Sequence, residues 1–257
     1  MRLAVIPLSL PMTKIAFLSD IHANLEALTA ALAKCDELKC DEVICLGDTV
    51  GYGASPAECV KILRERDIPC VLGNHDEYVT TIMNPDIDQL RPEIRKSIEW
   101  TQAQLSLDDL KWLGSLPMQI QVVDDLICLH ASFTRHRWSY CLDEITFKNN
   151  FAQQPCQLAF CGHSHSPLIG IDLPGQEFPF VDFIRSYSVP SDKKVMINVG
   201  SVGQPRDHDP RACIVTYILE TRRLELHRVP YDIETAQNKI YMARLPDRFG
   251  LRLAAGR

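Results

Sequence analysis

Short apolar runs rich in β-branched residues recur along this chain and alternate with segments of helical periodicity. Such alternation is typical of an α/β fold, in which strands are buried in a sheet and the intervening helices cover it. Each run is followed by polar side chains, so we predict that the ends of the strands carry the functional groups. The runs are residues 14–18, 42–46, 69–72, 126–129, 158–161 and 195–199.

End signals place two helices between the first runs. Asn24 is expected to cap the first helix, whose leucines are spaced to bury one face. The start of this helix points back towards Asp20 and His22, so Asn24 is also a candidate substrate-binding residue. The second helix is predicted to begin at Pro56, after a capping box that opens at Ser55.

The alternation continues far enough for a single domain, which we predict over residues 12–257. Residues 1–11 are predicted to be an N-terminal extension, and Met12 is a second candidate for the start of translation. Residues 80–117 have a helical pattern and are predicted to be an insertion. Residues 167–194, rich in Pro and Phe, are predicted to form a hairpin or flap.

Further elements can be placed from local signals. Ser106 is expected to cap a helix, and Gly114 is expected to end it. Residues 211–230 are predicted to form two strands joined by a turn at 220–223, and a final helix is predicted over residues 233–243.

The composition is that of an ordinary globular protein, with 46% hydrophobic and 23% charged residues. The net charge of −6 argues against nucleic acid as a partner.

No apolar run reaches the ~20 residues that a membrane helix needs, so no membrane partner is expected. Pro7 and Pro11 interrupt the apolar start and argue against a signal peptide. The ten cysteines form no C-x-x-C pair, which favours reduced thiols and a cytoplasmic location.

Five blocks of polar residues follow the predicted strands. Because ligands of α/β sheets bind at the carboxyl ends of strands, we expect these blocks to converge on one edge. They contain five of the eight histidines, which predicts a single polar site. The blocks are Ser19-Asp20-Ile21-His22, Gly47-Asp48, Gly73-Asn74-His75-Asp76, Leu129-His130-Ala131 and Gly162-His163-Ser164-His165.

The residue types in these blocks suit a metal site. In D-x-H and H-x-H, both side chains are expected to leave the same face of an extended segment, because strand side chains repeat with a period of two. Carboxylate, imidazole and amide ligands without a thiolate suit Mn²⁺, Fe, Zn²⁺ or Co²⁺. Taken singly, however, an aspartate after a strand can close a turn, and His130 can be a hydrogen-bonded core residue.

The order D-x-H, G-D, G-N-H-D, an isolated histidine and G-H-x-H resembles the signature of calcineurin-like metallophosphoesterases, in particular their prokaryotic phosphodiesterase-type branch. The likeness extends over residues 14–206. It implies a four-layer α-β-β-α sandwich of two mixed sheets flanked by helices. It also implies two divalent metal ions, with Mn²⁺ favoured and Fe, Zn²⁺, Co²⁺ or Ni²⁺ compatible.

The resemblance also implies which side chains hold the two ions. Asp48 would bridge them, since a shared carboxylate keeps two cations ~3.5–4 Å apart without prohibitive repulsion. Two carboxylates facing two doubly charged ions leave surplus positive charge, which would attract phosphate. The first ion would be held by Asp20, His22, Asp48 and His165, and the second by Asp48, Asn74, His130 and His163.

In the reaction implied by the resemblance, a metal-bound water or hydroxide attacks phosphorus in line with the leaving group. His75 would protonate or stabilise the leaving oxygen, and Asp76 would orient the His75 ring. The later run at residues 198–207 resembles a distal motif of the prokaryotic branch, whose glycines would let backbone amides approach an anion. Arg206 in this run could bind phosphate or pair with a carboxylate.

Departures from the wider family bear on the substrate. Protein phosphatases and symmetric dinucleoside tetraphosphatases carry an arginine soon after G-D and continue with G-N-H-E. Residues 47–53, which follow and include G-D, contain no arginine. The block that would read G-N-H-E ends here in Asp76 instead of glutamate. We therefore expect a small phosphodiester or nucleotide-type substrate. The alternatives are a phosphoprotein phosphatase or a metal-binding scaffold without significant turnover, and His75 with Asp76 argues against the scaffold.

Overall fold

Two mixed β-sheets lie face to face in the computed structural model, which describes residues 13–81 and 86–257 and, as backbone alone, residues 3–5. The larger sheet contains both parallel and antiparallel pairs. Its seven strands, in spatial order, are β1 (Leu3–Val5), β4 (Gln119–Val123), β5 (Leu126–Leu129), β6 (Leu158–Cys161), β10 (Val195–Val199), β7 (Pro167–Ile171) and β8 (Phe180–Phe183).

The smaller sheet has one parallel pair and is otherwise antiparallel. Its five strands, in spatial order, are β3 (Glu42–Cys45), β2 (Lys14–Leu18), β11 (Ala212–Ile218), β12 (Arg223–Val229) and β9 (Ser186–Ser188).

Helices cover the outer face of each sheet. Helices α1 (Leu25–Glu37) and α2 (Pro56–Glu65) pack on the smaller sheet, and α6 (Glu144–Phe151) packs on the larger one. The predicted four-layer α-β-β-α arrangement is therefore confirmed. The remaining helices are α3 (Asn74–Thr80), a 3-10 turn at Ile87–Gln89, α4 (Pro92–Gln104), α5 (Leu107–Ser115), α7 (Ile233–Met242) and α8 (Asp247–Ala255).

The main core lies between the two sheets. Successive residues of β2 point to opposite faces: Phe17 faces the other sheet, whereas Leu18 packs beneath α1. Phe17 stacks on Phe160 of β6, with ring centroids 3.9 Å apart. These fully buried rings fix the distance between the sheets and hence between the loops at their edges.

Five of the six apolar runs contain strands, as predicted, and the run at residues 69–72 does not. This run makes only an isolated bridge between Cys45 and Cys70. Pro69 has no N–H to donate, and the Leu72 N–H donates to the Pro117 carbonyl rather than to a strand. The segment therefore pairs over too few residues to form a strand.

The helix-capping predictions are partly confirmed. The side chains of Asn24 and Ser106 each accept the N–H three residues on, as expected of N-caps. Ser55 precedes the helix that begins at Pro56 but makes no side-chain cap, so the predicted capping box is wrong. Gly114 does not end α5, which continues to its next residue.

The C-terminal part contains more structure than predicted. The two strands expected in residues 211–230 and the helix expected at 233–243 are present as β11, β12 and α7. That helix is not the last one, because α8 follows it. Strand β4 and helix α6 were also not predicted. Helix α8 packs on α7 through Phe249 and Leu253, which share a buried cluster with Ile240.

The two predicted insertions have different structures. Helices α4 and α5 lie within residues 80–117. Within residues 167–194, β7 and β8 form an antiparallel hairpin, and β7 is buried beside β10. The hairpin is therefore part of the larger sheet. The predicted extension and the second start at Met12 lie outside the described residues, apart from β1, which pairs with β4.

All ten cysteines are free thiols, as expected. In the described parts of the chain, none of the helices has the length and apolar character needed to span a bilayer.

Candidate metal centre

The seven predicted metal ligands meet at one edge of the two sheets, where each is 6% exposed or less. The smaller sheet contributes the residues that follow β2 and β3, and the larger sheet those that follow β5 and β6. The start of α3 adds the amide. In chain order, these ligands are Asp20, His22, Asp48, Asn74, His130, His163 and His165.

The paired ligands lie in tight turns rather than in extended segments. The backbone φ angles of Asp20, His22, His163 and His165 are +52°, +49°, +68° and +59°, all in the left-handed region. The predicted extended geometry is therefore wrong. Hydrogen bonds between backbone groups impose these turns. For example, the Asp20 N–H donates to the Gly47 carbonyl at 3.0 Å. Such conformations cost on the order of 1–3 kcal/mol each and cluster at functional sites.

Two glycines of the sequence blocks make room for the ligands. A Cβ on Gly73 would lie 2.2 Å from the Asp48 amide nitrogen and from Asp48 Oδ1. A Cβ on Gly162 would lie 2.5 Å from Asp20 Oδ2. Only glycine permits both approaches, which explains why it precedes the ligands in these blocks.

One carboxylate oxygen lies between two histidines from different sheets. Asp48 Oδ2 is 3.7 Å from His22 Nε2 and 3.3 Å from His130 Nε2. On the His22 side, His165 Nε2 lies 3.3 Å from Asp20 Oδ1 and 3.2 Å from His22 Nε2. This half of the site gathers two carboxylates and two imidazoles.

The other half of the site centres on His130. Its Nε2 atom lies 3.1 Å from Asn74 Oδ1 and 3.2 Å from His163 Nδ1. Asp48, His130 and His163 have ligand atoms within 4.8 Å of one another, as do Asp20, His22 and His165. A third set, His22, Asp48 and His75, shares His22 with one of these sets and Asp48 with the other, so the sets are adjacent.

Hydrogen bonds to backbone carbonyls orient the four histidines. Each ring uses one nitrogen to donate to a carbonyl and turns the other nitrogen towards the cluster. The pairs are His22 Nδ1 with Val50 O (3.1 Å), His130 Nδ1 with Leu46 O (2.7 Å), His165 Nδ1 with Gln204 O (2.5 Å) and His163 Nε2 with Trp138 O (2.9 Å).

The protonation of the cluster reflects its burial. Burial lowers the pKa of His163 to about 3 and that of His165 well below its ordinary value, so both rings are neutral near pH 7. Burial opposes the charged form of His130, but the neighbouring Asp48 raises its pKa to about 10. Burial likewise raises the pKa of Asp48, yet the charges of His130 and His75 outweigh it and hold the pKa low.

The Asp20 carboxylate is suited to bind a cation. Its Oδ2 atom accepts the His163 N–H at 2.9 Å, whereas its buried Oδ1 atom has no hydrogen-bond partner in the described structure. Burial raises the pKa of Asp20 to about 7. An unpaired buried carboxylate oxygen facing neutral imidazole nitrogens is costly without a positive charge. These residues therefore fit divalent metal ions.

Comparison with known proteins identifies the family. The calcineurin-like phosphoesterase superfamily domain matches residues 13–221. The chain belongs to this superfamily. It is thus a metal-dependent phosphoesterase, a hydrolase, and the family implies divalent metal ions at the centre.

Similar proteins support this assignment over nearly the whole chain. The crystal structure of a metallophosphoesterase from Sphaerobacter thermophilus is similar to this chain, with 36% sequence identity and a TM-score of 0.81. The match covers 96% of this chain and 100% of the Sphaerobacter chain. An uncharacterised protein of Methanocaldococcus jannaschii is 36% identical over 249 residues, 95% of this chain and 98% of its own. A hypothetical protein from Pyrococcus horikoshii shares the fold, with a TM-score of 0.76 and 19% sequence identity. The match covers 95% of this chain and 99% of the Pyrococcus chain.

His75 of this phosphoesterase lies beside the shared carboxylate. Its backbone N–H donates to Asp48 Oδ1 at 2.8 Å, and its ring centroid is 5.0 Å from that of His22. The buried Nδ1 atom has no partner among the described residues, and burial lowers the pKa of the ring to about 4. The ring packs against Tyr52, with centroids 4.5 Å apart.

Asp76 does not orient the His75 ring, so that prediction is wrong. Its two carboxylate oxygens accept the N–H groups of Val50, at 3.2 Å, and Gly73, at 3.1 Å. Neighbouring residues of a helix do not face each other, so Asp76 points away from His75 and towards the turn before α3. Asp76 therefore braces the loop that carries Asp48.

The distal run at residues 198–207 braces the site as well. The Gly203 N–H and the Ser201 hydroxyl both donate to the Asp20 carbonyl, at 2.9 and 2.8 Å. The Gly200 N–H donates to Asn198 Oδ1 at 3.1 Å. These amides are already bonded within the protein, so the predicted approach of an anion to them is wrong.

The two predicted substrate-binding residues, Asn24 and Arg206, differ in whether their polar atoms are already used by the fold. Asn24 uses its amide oxygen as an N-cap and donates from its amide nitrogen to the Gly203 carbonyl at 2.8 Å, so its polar atoms serve the fold. Arg206 is half-buried, and its guanidinium carbon lies 5.9 Å from the Tyr52 ring centroid. Among the described residues no carboxylate pairs with Arg206, which removes the salt-bridge alternative there.

Sequence reasoning missed the loop at residues 131–142, whose Trp138 carbonyl holds His163. Glu77 fixes this loop, because its carboxylate accepts from Arg137 Nη2 at 2.6 Å and from Trp138 Nε1 at 3.3 Å. Glu77 directly follows the G-N-H-D block, a position that could have drawn attention. The Trp138 contact is made through the backbone and leaves no signal in the sequence.

Proposed function

We propose that this phosphoesterase hydrolyses a small phosphodiester or nucleotide-type substrate at a centre of two divalent ions. The observation that supports this most strongly is the position of Asp48 Oδ2 between His22 and His130. One carboxylate oxygen so placed suits two cations that share a ligand. Asp20, His22, Asp48 and His165 would hold one ion, and Asp48, Asn74, His130 and His163 the other.

Mn²⁺ is the ion that we favour, since carboxylate, imidazole and amide oxygen ligands suit it, and Fe, Zn²⁺, Co²⁺ and Ni²⁺ are alternatives. The bound ions would supply an activated water and positive charge for the phosphoryl oxygens. The protein fixes the imidazoles through backbone carbonyls and excludes water from the ligands by burial.

His75 and Arg206 are assigned to the substrate. His75 is the candidate donor to the leaving oxygen, because its ring is held at the shared carboxylate and its Nδ1 atom is unpaired. Arg206 supplies a guanidinium beside Tyr52, and so provides the cationic group that residues 47–53 lack. The net charge of −6 favours a small phosphate ester over nucleic acid, and no membrane partner is proposed.

The test is hydrolysis of bis-p-nitrophenyl phosphate by protein stripped with a chelator and reloaded with single metals. We expect turnover that depends on added metal and is greatest with Mn²⁺. A phosphoserine peptide should be hydrolysed more slowly. Absence of turnover with Mn²⁺, Co²⁺, Ni²⁺ and Fe²⁺ alike would favour the metal-binding scaffold, and preference for the peptide would favour a phosphoprotein phosphatase.

A further inference from the structure

Two arginines near the metal centre lack a carboxylate partner in the described structure. Arg206 donates its backbone N–H to the His165 carbonyl at 3.2 Å, so its position is tied to a predicted ligand. Its guanidinium donates to Gln204 Oε1 at 2.9 Å, and its buried Nε atom has no partner. The adjacent carboxylate, Asp207, pairs instead with Arg228.

The second arginine, Arg252, is brought to the same place by α8. The Phe249 ring of this helix packs edge-on against Tyr52, with centroids 5.0 Å apart, and Leu253 shares their buried cluster. A narrow pocket at this contact is lined by Leu253, Tyr52 and His22, so α8 lies beside the metal centre. Helix α8 therefore forms one wall of the site.

The charge of Arg206 acts on Arg252. Burial and then the charge of Arg206 lower the pKa of Arg252, whereas Tyr52 and Tyr140 raise it. Arg248, one turn earlier on α8, pairs with Glu93 at 3.4 Å. No such carboxylate pairs with Arg252 in the parts of the chain that the structure describes.

Two guanidinium groups that repel each other and lack a counterion destabilise the free protein. The cost is removed when an anion binds between them, and planar guanidinium groups match the oxygens of a phosphate well. The predicted metal ligands already account for one phosphoryl group. Unpaired positive charge beside them, in a chain of net charge −6, therefore calls for a second anionic group.

We propose that Arg206 and Arg252 form a subsite for a second phosphate group of the substrate, next to the phosphate at the metal centre. This inference rests on the proposed function and narrows it: the substrate is a small nucleotide-type ester that carries two phosphate groups. A substrate with a single phosphodiester would leave at least Arg252 without a counterion.

The test is calorimetric binding to the Mn²⁺-loaded protein. Thymidine 5′-monophosphate is compared with thymidine 3′,5′-bisphosphate, and AMP with ADP, so that each pair differs by one phosphate group. We expect one of the two-phosphate ligands to bind about tenfold tighter than its monophosphate, since charge-assisted hydrogen bonds are the strong ones. The pair that shows the preference reports the spacing of the two phosphates.

Three variants connect this preference to the arginines. Arg252→Gln and Arg206→Gln should each reduce the affinity ratio towards one, and Arg252→Lys should retain part of it because the charge remains. Arg223→Gln, a matched change at an exposed residue that pairs with Glu225 on β12, should leave the ratio at the wild-type value. The Lys variant also separates a binding role from a purely structural one.

The proposal is overturned if wild-type protein binds every mono- and bisphosphate equally, or if the Arg252→Gln ratio equals the wild-type ratio in protein that remains folded by circular dichroism. Hydrolysis of bis-p-nitrophenyl phosphate by the same preparations reports the proposed function separately. Turnover without a bisphosphate preference contradicts only the subsite, whereas absence of turnover contradicts the hydrolase mechanism.

Discussion

The Asp48 carboxylate joins the two halves of the metal centre through a single oxygen, so its charge should matter to both. In Asp48→Asn the side chain keeps its size but presents a neutral amide between His22 and His130. We expect bound metal to fall from about two ions per chain to about one or none, and the rate to fall at least about 100-fold. Plasma mass spectrometry and hydrolysis of bis-p-nitrophenyl phosphate measure these effects.

The matched control is Asp124→Asn at an exposed position, which should retain metal and rate. An Asp48→Asn protein that keeps both ions and the wild-type rate would rule out a bridging carboxylate.

His75 should affect chemistry without affecting metal content. In His75→Ala the metal ligands remain, but the leaving oxygen loses its candidate proton donor. We expect roughly a 100-fold loss of rate for phosphodiesters with poor leaving groups and a smaller loss for p-nitrophenolate, which needs no proton. Rates across aryl phosphodiesters of graded leaving-group pKa provide the measurement. A loss of equal size for every leaving group would argue against proton donation.

At the residue scale, sequence predicted which side chains meet but not how they are held. The order of Asp, His and Asn blocks was sufficient because four of the five blocks follow a strand, and strand ends share an edge. The left-handed turns at Asp20 and His163 could not be read from the sequence, since local preference disfavours them and tertiary hydrogen bonds impose them. The role that the resemblance implied for Asp76 was wrong because its carboxylate binds the N–H groups of Val50 and Gly73.

At the element scale, α3 and the loop at residues 131–142 together position the predicted ligand His163. Glu77 of α3 holds the loop through Arg137 and Trp138, and the Trp138 carbonyl fixes the His163 ring. Glu77→Gln removes the charge that holds the loop, so Mn²⁺ affinity should weaken about tenfold, as is common for residues that orient ligands. Calorimetric titration of metal-free protein with Mn²⁺ gives the affinities.

Glu58→Gln on the exposed face of α2 provides a charge-matched control. Equal Mn²⁺ affinity in the Glu77 and Glu58 variants would show that the loop does not position His163.

The elements that sequence failed to predict are those whose stability comes from distant contacts. Helix α8 contains Gly250, which disfavours a helix locally, yet a Cβ there would lie 2.7 Å from the Tyr241 ring. Packing on α7 thus requires the residue that weakens the local signal. The run at 69–72 shows the reverse case, in which apolar composition indicated a strand but Pro69 limited the pairing.

At the scale of the whole molecule, the metal centre connects the two sheets. Asp20, His22 and Asp48 follow strands of the smaller sheet, whereas His130 and His163 follow strands of the larger one. Ions bound by both sets would therefore hold together the edges of two sheets whose packing depends otherwise on the core around Phe17 and Phe160. The four-layer architecture could be predicted from the family resemblance. The connection of the two sheets through the metal centre is seen only in the structure.

Metal binding should consequently raise the thermal stability of the entire domain. A ligand that binds only the folded state at 100 times its Kd stabilises it by about 2.7 kcal/mol. In a chain of this length, 1 kcal/mol moves Tm by about 2–4 °C, so Mn²⁺ should raise Tm by roughly 5–10 °C over chelator-treated protein in scanning calorimetry. Asp48→Asn should lose most of this shift, because its oxygen faces histidines from both sheets, whereas Asp124→Asn should keep it. A Tm that does not respond to Mn²⁺, or a full shift in the Asp48 variant, would mean that the ions do not join the sheets.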